Sequence, residues 1–149
     1  TDDRQIIPVR DPSEAYDAIT SRLDNHLKRW KAGHPSGIII ATLGIGADGH
    51  IGGMMPFPED PTFFQNTFID TDQWVVHYNA GGKNPFPNRL TVTVPFFRLI
   101  DHAVVYVIGA PKRAALEKIT AIDGDIQTTP ARVLLEMPSV ALFTDLANL

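Results

Sequence analysis

From residue 37 to residue 43 the chain reads Gly-Ile-Ile-Ile-Ala-Thr-Leu, an apolar run with almost no polar alternation. A strand with one wet face alternates apolar and polar side chains. An unbroken run of this length therefore predicts a strand buried on both faces, as in a parallel sheet covered by helices. Further strand-sized segments fall at 73–78, 90–94, 103–108 and 139–144. Ala15, Ile19, Leu23 and Leu27 recur at four-residue spacing, which predicts a helix over 13–31. Ser13 is placed to cap it, Gly33 to end it, and Asp17, Arg22, Asp24, Lys28 and Arg29 fall mostly on its wet side. A second helical stretch runs over 111–122 and a shorter one over 130–136. Strand and helix thus alternate through the second half, the pattern of an α/β fold with at least one βαβ crossover. The segment 54–88 carries Pro56, Pro58, Pro61, Pro85 and Pro87 with Gly81-Gly82, and predicts mostly loop around one strand.

Composition removes several kinds of function. The 149 residues suit one domain, read as residues 1–149. A balance of 13 Lys+Arg against 17 Asp+Glu, net −4, gives no electrostatic support for nucleic-acid or anionic-membrane partners. With no cysteine, disulfide frameworks, thiolate zinc sites and cysteine nucleophiles are excluded. No apolar run approaches the roughly 18 residues of a membrane-spanning helix. His26, His34, His77 and His102 show no ligand spacing, so no metal site is expected.

Directly after the apolar run stands Leu43-Gly44-Ile45-Gly46-Ala47-Asp48-Gly49-His50. It occupies the carboxyl end of a buried strand, where open α/β sheets bind their ligands. Gly44, Gly46 and Gly49 permit tight turning and leave backbone N–H groups unshielded toward an anion. Asp48 and His50, two residues apart, suit a carboxylate fixing an imidazole tautomer. A glycine-rich turn with purely local hydrogen bonds fits the same residues. Neither nucleotide motif fits: the dinucleotide fingerprint lacks its early βαβ position, and the loop lacks a Lys-Ser/Thr ending. Gly109-Ala110-Pro111-Lys112 follows a strand, with Pro111 suited to a helix start and Lys112 opposing the helix dipole. A bound anion would offset that placement; an exposed lysine is the simpler reading. Thr1-Asp2-Asp3-Arg4 reads as a solvated cluster, and Arg89 enters a strand from the loop Pro85-Phe86-Pro87-Asn88.

Taken in order, these segments resemble the 6-phosphogluconolactonase and glucosamine-6-phosphate deaminase superfamily over nearly the whole chain. Its lactonases carry Asp-Glu-Arg, then a strand leading into Leu-Gly-x-Gly-x-Asp-Gly-His, then a proline-rich loop with an Arg-Ile/Leu-Thr strand, then Gly-x-x-Lys. Asp2-Asp3-Arg4, Leu43 to Pro56, Pro85 to Thr91 and Gly109 to Lys112 fit those places. Deaminases of the superfamily place a glutamate five positions after the loop histidine, where this chain has Met55, and a tyrosine where Arg4 stands. Both differences favour the lactonase branch. The resemblance implies a Rossmann-like three-layer open sheet, mostly parallel, with helices on both faces. It also implies that the family's first βα units, with their Ser-Gly-Gly phosphate loop, are lacking, and that the chain, opening on Thr1, is an excerpt with little activity of its own. Residues after the histidine read Ile51-Gly52-Gly53-Met54-Met55, where lactonases favour Thr-Ala-Ser-Leu-Phe.

By the same resemblance the expected activity is hydrolysis of 6-phosphogluconolactone to 6-phosphogluconate, a pentose phosphate pathway step, in the cytoplasm and without metal or organic cofactor. His50 is then the base that activates water and Asp48 its orienting group. Arg4, Arg89 and Lys112, with the Gly44, Gly46 and Gly49 backbone, hold phosphate or developing charge. The alternatives are a glucosamine-6-phosphate deaminase/isomerase type of enzyme, with Asp2 or Asp3 as acid/base, and a sugar-phosphate binding module without catalysis.

Overall fold

The computed structural model describes residues 7–9 and 13–146. Its frame is a parallel sheet of three strands, β1 (Ile40–Gly44), β4 (His102–Val107) and β5 (Val140–Thr144), with β4 in the centre. Between β1 and β4 the chain makes an antiparallel ribbon of β2 (Val75–Asn79) and β3 (Asn88–Val92). The α/β class and the mostly parallel sheet are those expected. In β1 and β4, Gly44 pairs with Tyr106, so the loops that follow both strands leave the same end of the sheet.

Helix α1 (Tyr16–Gly33) begins three residues later than expected, with Ala15 at its N-cap and no side-chain cap hydrogen bond. Its fully buried apolar contact is Ile19, and beside it Asp24 is only 7% exposed. That residue was placed on the wet side by periodicity, and the structure corrects this. Asp24 Oδ1 accepts from the backbone N–H of Trp74 at 2.5 Å and of Val75 at 3.2 Å, while Oδ2 meets Lys28 Nζ at 2.8 Å. A carboxylate can be buried where donors replace its lost water. Here it satisfies the entry to β2 and ties that strand to α1.

The segment 54–88 is more ordered than its prolines suggest. Pro61 stands in the first turn of α2 (Pro61–Phe64), Asp60 accepts from the Phe63 N–H, and a π turn over Gln65–Ile69 follows. Phe64 and Phe68 are completely buried, and Phe68 meets Tyr78 edge-on with ring centroids 4.9 Å apart. Burial of each such ring stabilises by about 2–3 kcal/mol, enough to order a proline-rich segment.

Helix α3 (Val94–Phe97) leads into β4, and α4 (Arg113–Thr120) with the 3-10 turn Pro130–Glu136 joins β4 to β5. Ala115, Leu116 and Ile119 of α4 are buried with Ala103, Val105 and Val107 of β4. The opposite sheet face presents Ile40, Tyr106 and Phe143, which are 66%, 57% and 50% exposed. Burial of 37–43 on both faces therefore does not hold: among the described residues the helical cover lies on one face. Also among them, no helix is long and apolar enough to cross a membrane, and no cluster of His, Asp and Glu could hold a metal ion.

Asp24→Ala strands one buried and one part-buried N–H group and lowers unfolding free energy by about 3 kcal/mol, whereas Asp24→Asn keeps an acceptor oxygen and loses about 1 kcal/mol. Urea titration of both variants measures the difference.

Candidate functional site

The loop leaving β1 is pinned at its base before it reaches solvent. Ile45 and Ile51, both buried, form an antiparallel bridge, and Ile51 bridges in turn to Met54. Within this hairpin Gly46 N donates to His50 O at 2.9 Å and Gly49 N to Gly46 O at 3.0 Å. Gly46 is required by close approach: a Cβ there would lie 2.1 Å from His50 Nδ1 and 2.4 Å from Asp48 Oδ1. Gly49 has φ +87° and rests on Thr129, and its carbonyl accepts from Ala131 N at 2.9 Å. At Gly44 space makes no such demand, since an added Cβ would meet only Tyr106 O at 3.9 Å.

Asp48 and His50 project from this turn toward solvent. Asp48 Oδ1 accepts from the His50 backbone N–H at 3.1 Å and stands 2.6 Å from His50 Nδ1. A proton on Nδ1, shared with the carboxylate, leaves Nε2 as the ring's acceptor. The side chains are 31% and 43% exposed for His50 and Asp48, so a small molecule has access to the imidazole.

Two cations bracket the hairpin. Lys112, in the 3-10 turn Ala110–Lys112 after β4, donates from Nζ to Ile45 O at the loop's entry. The common end of β1 and β4 brings these two segments together. Arg89, on β3, lies at the loop's exit: a Cβ on Gly53 would sit 3.7 Å from Arg89 Nη2. Its Nη1 donates to Asn84 Oδ1 at 3.4 Å. Among the described residues no carboxylate forms an ion pair with Arg89 or Lys112. Cations without carboxylate partners suit a bound anion. The amides of Gly46 and Gly49, expected to face that anion, are instead spent on His50 O and Gly46 O inside the hairpin. Asp2, Asp3 and Arg4 lie outside the described residues.

Sequence reasoning passed over Tyr78 and the hydroxyl of Thr91. Tyr78 Oη donates to Gly53 O at 2.7 Å and accepts from Met55 N at 3.1 Å; Thr91 Oγ1 donates to Gly52 O at 2.8 Å. Burial pushes the Tyr78 phenol above its ordinary value; the Met55 N–H and the Arg89 charge oppose that rise, and the Asp48 charge adds to it. Alternation along β2 was the available signal, but it marks a core tyrosine and says nothing of the hydroxyl's partners.

The sequence that builds this α/β fold matches a known family. The family model described as glucosamine-6-phosphate isomerases/6-phosphogluconolactonase matches residues 1–142, and the chain belongs to that family. A 6-phosphogluconolactonase of Synechocystis is 34% identical over 104 residues, covering 70% of this chain and 39% of that protein. The solved structure of the Trypanosoma brucei 6-phosphogluconolactonase superposes with a TM-score of 0.63 at 21% identity, over 90% of this chain and 54% of that one. For the Thermotoga maritima 6-phosphogluconolactonase the TM-score is 0.65 at 19% identity, over 90% and 53%. The chain thus spans about two-fifths of that curated relative and half of those solved structures. At these identities the structures establish the shared fold.

Gly46→Ala pushes against the ends of two side chains and not against backbone, so the fold survives with a loss of about 1 kcal/mol. The Asp48–His50 contact does not, and the imidazole resonances of His50 report its loss in NMR spectra. Tyr78 gives a second expectation. A phenol raised on folding contributes stability that is intact below its ordinary value of 10.0 and is lost as pH rises through the raised one. Urea unfolding of the parent chain therefore weakens above pH 10. Tyr78→Phe lacks that component of the decline.

Proposed function

We propose that the chain carries the base and part of the anion cradle of a phosphosugar lactonase acting on 6-phosphogluconolactone. One observation carries this reading: His50 Nδ1 is held 2.6 Å from Asp48 while the ring remains open to solvent, on a hairpin whose two ends meet Lys112 and Arg89, neither with a carboxylate partner among the described residues. In the reaction, His50 Nε2 takes a proton from water as the water oxygen attacks the lactone carbonyl carbon. The tetrahedral intermediate then collapses, the bond from carbonyl carbon to ring oxygen breaks, and the imidazolium returns its proton to the departing alkoxide. The product is the open-chain acid, and Asp48 stabilises the imidazolium between the two steps.

Arg89 and Lys112 supply positive charge for the substrate phosphate or the developing oxyanion. By its motif alone Arg4 is proposed as a further phosphate ligand; it lies outside the described residues. Lactone hydrolysis asks for no proton donor at position 55, where a buried Met55 stands. A substrate carrying a phosphate does not cross membranes unaided, and we place the reaction in the cytoplasm.

Acid release from 6-phosphogluconolactone at neutral pH, corrected for spontaneous opening, tests the proposal. The chain is expected to exceed the background, and His50→Ala to lower kcat by about 10²–10⁴-fold. Arg89→Ala and Lys112→Ala weaken binding of 6-phosphogluconate, each by about tenfold. Binding without turnover would make the chain a sugar-phosphate binding module instead. Ammonia release from glucosamine 6-phosphate would move it to the other branch of its family.

A further inference from the structure

Tyr78 sits where a phenylalanine would satisfy the packing, ringed by Phe57, Phe63 and Phe68 at centroid distances of 6.0, 6.3 and 4.9 Å. A hydroxyl among aromatic rings is costly unless bonded. This one is bonded twice, to Gly53 O and to Met55 N, so that it closes a ring around the fully buried Met54. Tyr78 pairs across the ribbon with Arg89, and Val76 with Thr91. Residues directly opposite in an antiparallel pair share a face, and alternate residues along a strand do too. Tyr78, Arg89 and Thr91 therefore project from one face of the ribbon, and Thr91 bonds Gly52 O beside the first strap. Met54 bridges to Ile51, which follows His50 directly.

We infer that Tyr78 is a positioning residue: its hydroxyl, with that of Thr91, docks the hairpin carrying His50 onto the ribbon face carrying Arg89. The imidazole and the guanidinium are then set relative to one another by a shared buried contact and not by two independent loops. The catalytic consequence rests on the lactonase reading; the docking itself does not.

The test compares the parent chain with Tyr78→Phe, Thr91→Val and Thr91→Ser by NMR. Tyr78→Phe leaves the Met55 N–H without its acceptor, and exchange of that amide is expected to rise about tenfold. The His50 imidazole signals shift in Tyr78→Phe and in Thr91→Val, while the amides of Leu43 and Val105 keep their rates. Thr91→Ser, which retains the hydroxyl, restores the parent His50 signals. Lactone kcat falls about tenfold in Tyr78→Phe with KM within about twofold, since the loss is one of geometry. Unchanged His50 signals alongside faster Met55 exchange would overturn the inference and reduce Tyr78 to a packing residue. Exchange rising equally throughout β1 and β4 would overturn it as well. Should Tyr78→Phe not fold, the Thr91→Val and Thr91→Ser pair decides on the His50 signals alone. A parent chain without lactone turnover removes the lactonase reading and leaves the NMR comparison to decide the docking.

Discussion

The bridge between Ile45 and Ile51 is the constraint on which the site depends. Both side chains are buried with Met54, so the backbone on either side of the glycine turn is anchored in the core before the turn is made. Five residues then separate two fixed points, and closing so short a segment leaves few conformations. The Gly46–His50 and Gly49–Gly46 hydrogen bonds select one of them. The absence of a Cβ at Gly46 lets the imidazole lie against the backbone. Asp48 reaches both the backbone N–H and the ring of His50 from the same turn. The pair is solvent-accessible yet preorganised, because its precision comes from buried backbone and not from burial of the pair itself.

Charge is assembled differently. Lys112 and Arg89 come from segments far apart in sequence and reach the hairpin at opposite ends. Lys112 arrives because β1 and β4 are parallel neighbours that end together. Arg89 arrives because the β2–β3 ribbon is strapped to the loop's exit. Two cations on one hairpin without carboxylate partners among the described residues leave positive charge unneutralised, and proteins retain such arrangements where an anion is to be bound. Of the two, Arg89 also acts on the phenol of Tyr78, where its charge opposes that of Asp48.

Much of this was legible in the residues. The apolar run followed by Gly-x-Gly-x-Asp-Gly-His located both β1 and the loop, because strand and turn chemistry are local. The strands near 73–78, 90–94, 103–108 and 139–144 were also readable, each within about two residues, the usual looseness of an element boundary. What escaped was set by partners distant in sequence. Asp24 reads as a wet helix residue until the amides of Trp74 and Val75, fifty residues away, are seen to need an acceptor. Tyr78 reads as core until Gly53 and Met55 are seen at its hydroxyl. The prolines of 54–88 suggest loop, and the buried Phe64 and Phe68 override them. In β1 the apolar run correctly announces a strand, but composition cannot say which of its faces the described residues cover.

The contacts that shape the hairpin come from residues beyond it in the chain. Thr129 and Ala131 support Gly49, Lys112 engages Ile45, and Tyr78 and Thr91 hold Gly52 to Met55. The apolar sheet face of Ile40, Tyr106 and Phe143, by contrast, supplies none of these bonds, although Tyr106 and Phe143 stack on one another at 5.2 Å. Local geometry at His50 and exposure of that face are therefore separable properties of the fold. A change on the sheet face acts on solubility and stability first, since parallel sheets are stable chiefly when both faces are covered. A change in the hairpin's straps acts on the imidazole directly. The two kinds of substitution should differ in which amides they loosen, because the buried Ile45–Ile51 bridge stands between them.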